Sequence, residues 1–131
     1  MKRFLSLILI LTVLLCVCGC SRTNLSSGAK VELTFIYGDQ SIETLLPEAE
    51  AQEVIRILDG RAYDPVSWGI PSCGFDEDVS LKVGGRVFAI ACDTCNCVQD
   101  MGSFRYFDIP QEDMDYIHTL FEKYGGFFPC V

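Results

Sequence analysis

Val79-Ser80-Leu81-Lys82-Val83-Gly84-Gly85-Arg86-Val87-Phe88-Ala89-Ile90-Ala91-Cys92 is the stretch that decides the fold. Val79, Leu81 and Val83 alternate with Ser80 and Lys82, the period of two expected of a strand with one buried face. Gly84-Gly85 supplies the positive φ values of a two-residue turn, and Arg86 to Cys92 returns. In that register Leu81 faces Phe88 and Val79 faces Ile90, so both strands bury the same side. This hairpin is the most strongly signalled element of the chain.

Working outward from it, Val31, Leu33, Phe35 and Tyr37 alternate with Glu32, Thr34 and Ile36. Gly38-Asp39 then turns the chain into a second strand around Ser41 to Leu45. Pro47 opens a helix, because its missing N–H was unpartnered there in any case, and Glu48, Glu50 and Glu53 suit the positive end of the helix dipole. Ala51, Val54, Ile55 and Leu58 make its apolar stripe. Arg61 to Phe75, with Pro65, Gly69, Pro71 and Gly74, reads as an irregular loop carrying Tyr63, Trp68 and Ile70. Beyond the hairpin come a cysteine-bearing loop and a strand from Phe104 to Ile109. A second helix runs from near Pro110 to Tyr124, with Met114, Ile117, Leu120, Phe121 and Tyr124 buried. The order β-β-α-β-β-β-α predicts an α+β domain over residues 31–131, a small antiparallel sheet with two helices on one face.

The amino terminus has a different character. Met1-Lys2-Arg3 is positively charged, and Phe4 to Val17 is an apolar run too short to span a bilayer comfortably, which takes about 20 residues. Residues 1–19 therefore read as a signal peptide. Val17-Cys18-Gly19-Cys20 resembles the lipobox of bacterial lipoproteins. The resemblance implies a diacylglyceryl (and palmitate-type) lipid on Cys20, location on the extracytoplasmic face of the cell membrane, and residues 20–30 as a flexible lipidated tether.

The 131 residues include 10 Lys and Arg against 18 Asp and Glu, a formal charge of −8. Lys2 and Arg3 belong to the export segment, so the remainder is more acidic still. Such a domain repels phosphate, which argues against nucleic-acid partners.

Of the eight cysteines, Cys73, Cys92, Cys95, Cys97 and Cys130 follow the lipobox. In an exported domain of this size, two structural disulfides with one thiol left over are expected, each bridge contributing roughly 2–4 kcal/mol. Spacing does not fix the pairing. Alternatively, Cys92, Cys95 and Cys97 hold a soft metal such as zinc or copper, with Cys73, Cys130 or His118 as a fourth ligand. Thiol–disulfide exchange at Cys92-x-x-Cys95 is less favoured, because the pair follows a strand rather than opening a helix, and Asp93 disfavours a thiolate.

His118, the single histidine, reads as a helix-edge residue. Asp76-Glu77-Asp78 lacks the spacing of a calcium loop and reads as a solvated run. No sequence element supports a nucleophilic triad. Tyr63 and Trp68 are candidate partner contacts.

The segments Ser72-Cys73-Gly74-Phe75, Cys92-x-x-Cys95, Tyr116-Ile117-His118, Phe121 to Gly126 and Phe128-Pro129-Cys130 together resemble a small uncharacterised domain of Gram-positive lipoproteins. Cys97 is extra to that pattern. The resemblance thus implies Cys97 as the unpaired thiol and Cys73, Cys92, Cys95 and Cys130 as the disulfide candidates. The functional expectation is a membrane-anchored, non-enzymatic module without cofactor that binds a protein, peptide or envelope component, with metal binding as the alternative.

Overall fold

Val31, Leu33 and Phe35 are buried at alternate positions of one strand and lie opposite Val83, Leu81 and Val79 of the next. The computed structural model describes residues 21–64 and 74–129. In chain order the elements are β1 (Val31–Tyr37), β2 (Gln40–Leu45), α1 (Glu48–Leu58), β3 (Val79–Val83), β4 (Arg86–Ile90), β5 (Cys97–Asp100), β6 (Arg105–Asp108) and α2 (Gln111–Gly125). The strands form one antiparallel sheet in the order β2-β1-β3-β4-β5-β6.

The central hairpin forms as its sequence requires: Gly84 and Gly85 take φ of 55° and 88°, and Leu81 lies opposite Phe88. The same row continues through Leu33 opposite Leu81, and a neighbouring row carries Ile90 opposite Val98 and Val98 opposite Phe107. These residues and Phe35 are wholly buried in one core with Val54, Ile57 and Leu58 of α1 and Met114, Ile117 and Phe121 of α2. Both helices follow a proline and carry acidic residues in their first turn, Glu48 and Glu50 in α1, Glu112 and Asp113 in α2. Placing carboxylates there complements the helix dipole.

Three expectations need revision. First, the sheet contains one more strand than the alternation predicts. Residues 97–100 pair with β4 on one side and β6 on the other, where a loop was expected. Gln99 and Asp100 hide the pattern because they are polar, yet both are buried with partners: Gln99 donates to Tyr106 Oη at 3.2 Å, and Asp100 accepts from Arg86 at 2.6 Å.

Second, a disulfide staple is not seen within the described fold: no disulfide joins two described residues. Of the candidates, Cys92 and Cys95 are described, whereas Cys73 and Cys130 lie outside the described residues. A sheet of six strands under two helices buries the large side chains of Phe35, Phe88, Phe107 and Phe121 completely, and burial of that kind contributes roughly 1.5–3 kcal/mol per side chain.

Third, the stretch expected as a flexible tether lies along the domain from Ser21 onward. Thr23 is buried at 3% exposure, and Gln52 Nε2 donates to the Ser27 carbonyl at 3.0 Å. The signal peptide, Cys20 and Trp68 lie outside the described residues. No described helix is long and apolar enough to cross a membrane.

Two residues of α2 give direct tests of this packing. A Cβ on Gly125 would stand 2.7 Å from Cδ1 of the buried Phe35 ring. We expect Gly125→Ala to destabilise the domain by about 1–3 kcal/mol in urea titrations; an unchanged midpoint would show that the ring is not pressed against α2. His118 stacks on Phe128 with ring centroids 3.9 Å apart, and its Nε2 is buried without a hydrogen-bond partner. Burial outweighs the Asp115 and Glu122 carboxylates and holds the imidazole below its ordinary range. The unfolded chain then takes up a proton near pH 6.5 that the folded chain resists, so this contribution is complete above about pH 6.5 and is lost as pH falls below it. Urea midpoints measured between pH 7.5 and 5 should decline less in His118→Gln than in the natural sequence.

Candidate metal centre

The helices cover one face of the sheet, and the chemistry lies on the other. Because side chains alternate, Val98 and Phe107 point into the core while their neighbours Cys97, Gln99, Tyr106 and Asp108 point to the opposite side. There Ala91 and Cys97 form a second buried cluster, with Phe75, Cys95 and Tyr106 packed against it.

Two backbone features bring three ligand groups together. The Ile109 N–H donates to the Asn96 carbonyl at 2.9 Å. The neighbouring pair, Cys97 opposite Asp108, is therefore of the closely spaced kind without mutual backbone bonds, in which cross-strand side chains approach most nearly. On the outer edge of β6, the Asp64 N–H donates to the Tyr106 carbonyl at 2.7 Å, which lays Asp64 beside the strand. The Cys97 Sγ and one carboxylate oxygen each from Asp64 and Asp108 lie within 4.8 Å of one another.

The thiol is buried at 4% exposure, whereas Asp108 is exposed. Burial, and then the negative charges of Asp108 and Asp64, push the Cys97 thiol up to about 12. Burial and the nearby Asp108 also raise the Asp64 carboxyl. Among the described residues, no ion pair engages either carboxylate. The cluster thus concentrates acceptor groups without a cation to balance them.

The carboxylates that are buried are balanced. Asp113 accepts from Arg56 at 2.6 Å and Arg61 at 2.9 Å. Asp100 accepts from Arg86 at 2.6 Å and from the Tyr63 hydroxyl, and its other oxygen receives the Gly102 N–H at 3.1 Å. Burial alone would raise the Asp100 carboxyl, but Tyr63 and Arg86 outweigh it and hold the group below its ordinary range.

The chain matches no family model, no curated protein and no solved structure with which it was compared. The reading of the site consequently rests on its own chemistry.

The sequence-predicted residues are redistributed. Of Cys92, Cys95 and Cys97, only Cys97 joins the cluster. Cys92 follows β4, its Sγ 3.6 Å from the Ile90 carbonyl, and Cys95 donates its backbone N–H to Asp93 at 2.7 Å. The segment bearing Cys92-x-x-Cys95 leads into β5 and opens no helix, so the dipole that activates thioredoxin-like thiols is missing there. Tyr63 turns its ring inward, 5.9 Å from Phe107 and under the Arg105 guanidinium at 4.5 Å. Among the described residues the domain has no catalytic-looking arrangement.

Asp64 and Asp108 were not singled out from the sequence. The signal for Asp108 was available only once Cys97–Asp100 is recognised as a strand, since the pairing then places it opposite Cys97. Asp64 has no periodic signal at all.

Timed alkylation with peptide mapping tests the environment of Cys97. We expect its thiol to label slowly at neutral pH in the folded protein, and faster in Asp108→Asn, because removing that charge makes the thiolate less costly. Rapid labelling of the natural protein would contradict the geometry.

Proposed function

We propose that this domain binds a borderline-soft divalent cation, zinc in the first instance, through Asp64, Cys97 and Asp108. The observation that carries the reading is the grouping of a buried thiol with two carboxylates that no Lys or Arg among the described residues neutralises. A cation supplies the missing positive charge and lets the thiol ionise, since zinc-bound cysteine is a thiolate.

Donor chemistry favours zinc over the other candidate metals. Zinc accepts sulfur and carboxylate oxygen together, whereas copper(I) prefers several soft ligands, and magnesium and calcium prefer oxygen alone. Three protein donors also leave a coordination position for solvent or a further ligand. The broader expectation of a binding module is kept in this narrower form. Location remains a proposal from the sequence: the segment ending at Cys20 supports export with lipid attachment, which intact mass of the purified chain would reveal.

The test is titration of the full, reduced chain with zinc, and with cobalt(II) as a spectroscopic substitute. We expect one equivalent to bind, with a sulfur-to-cobalt charge-transfer band that disappears in Cys97→Ser. Asp108→Asn should weaken binding by more than the roughly 10- to 100-fold typical of outer-shell changes. Equal binding by the natural protein and a Cys97→Ser/Asp108→Asn double variant would refute the site.

A further inference from the structure

The segment that holds Asp64 is itself held by the residues following position 20. Ala62 forms an antiparallel bridge with Arg22. The Thr23 N–H donates to the Arg61 carbonyl at 2.9 Å, the Gly60 N–H to the Thr23 carbonyl at 3.0 Å, and the Tyr63 N–H to the Ser21 carbonyl at 3.3 Å. The Leu25 N–H donates to the Asp59 carboxylate at 2.7 Å. Chain from residue 59 to residue 63 is thus bonded to residues 21–25 almost position by position.

One side chain in this strap does more than the backbone. The Thr23 hydroxyl donates to the Leu58 carbonyl at 2.6 Å and accepts the Arg61 N–H at 2.8 Å. It satisfies an orphan carbonyl at the end of α1 and fixes the direction in which the chain leaves the helix. That direction carries the chain through Tyr63, whose hydroxyl is anchored on Asp100, to Asp64 on the edge of β6. Cys97 and Asp108, by contrast, are placed by the sheet and need nothing from the strap.

We infer that Thr23 is a positioning residue for the metal centre, acting through Asp64, and that docking of residues 21–25 sets the affinity of the site. The inference rests on the metal-binding reading above. It makes the amino-terminal strap part of the binding apparatus: displacing it frees one ligand of three while leaving the sheet-borne pair in place.

Cobalt(II) titration of the full chain, natural and substituted, tests it. Thr23→Val removes the hydroxyl and leaves the Leu58 carbonyl and Arg61 N–H without that partner, whereas Thr23→Ser keeps it. With folding verified by circular dichroism, the valine variant should bind roughly 10- to 100-fold more weakly. Its sulfur-to-cobalt band at saturation should remain, because Cys97 is still in place, and the serine variant should recover the natural affinity. If valine prevents folding, Thr23→Ala serves the same comparison. Absence of cobalt binding in the natural protein overturns the metal reading and this inference together. Binding by the natural protein with unchanged affinity in the valine or alanine variant overturns the inference alone, as does a serine variant as weak as valine.

Discussion

The register of the antiparallel sheet is the constraint on which the rest of the molecule depends. Leu33, Leu81 and Phe88 stand side by side on three strands, all fully buried. A slip of one residue between neighbouring strands would turn an entire row of apolar side chains from the core to the opposite face. Burial beneath α1 and α2 therefore determines which residues lie on the far side, and there the register sets Cys97 opposite Asp108. A position chosen by hydrophobic burial on one face thus creates a polar cluster on the other.

Comparison of the acidic residues shows why one cluster stands apart. Asp113 joins α2 to α1 and its exit through Arg56 and Arg61, and Asp100 ties the β5–β6 turn to Arg86 and Tyr63. Glu50 joins α1 to α2 through Lys123 and Tyr124. In each case a cation or hydroxyl meets the carboxylate, as expected where isolated buried charge would be costly. Asp64 and Asp108 have no such ion-pair partner among the described residues and flank a thiol that they and its burial keep protonated. Carboxylates thus join elements at some positions, and at this one they form the group for which a cation is proposed.

Much of the architecture was legible in the sequence because it depends on local periodicity and turn chemistry. Val79 to Ile90 announces its hairpin through alternation around Gly84-Gly85, and the stripe from Met114 to Phe121 announces α2. β5 was concealed because Gln99 and Asp100 look solvent-loving, and only long-range partners, Tyr106, Arg86 and Tyr63, make their burial tolerable. The docked path of residues 21–25 was concealed for the same reason: Thr23 is an ordinary loop residue until the end of α1 is placed against it. Cys97 was recognised as chemically distinct, yet its companions were sought among nearby cysteines, whereas strand pairing supplies Asp108 and an edge contact supplies Asp64. Sequence spacing cannot show a ligand set assembled from three separate segments.

The proposed ligand set is tested most directly by X-ray absorption spectroscopy of the zinc-loaded full chain. The proposed site requires one sulfur neighbour at about 2.3 Å with all remaining ligands oxygen at about 2.0–2.2 Å. Two or three sulfur neighbours, the environment that Cys92, Cys95 and Cys97 would provide together, or none at all, would contradict it.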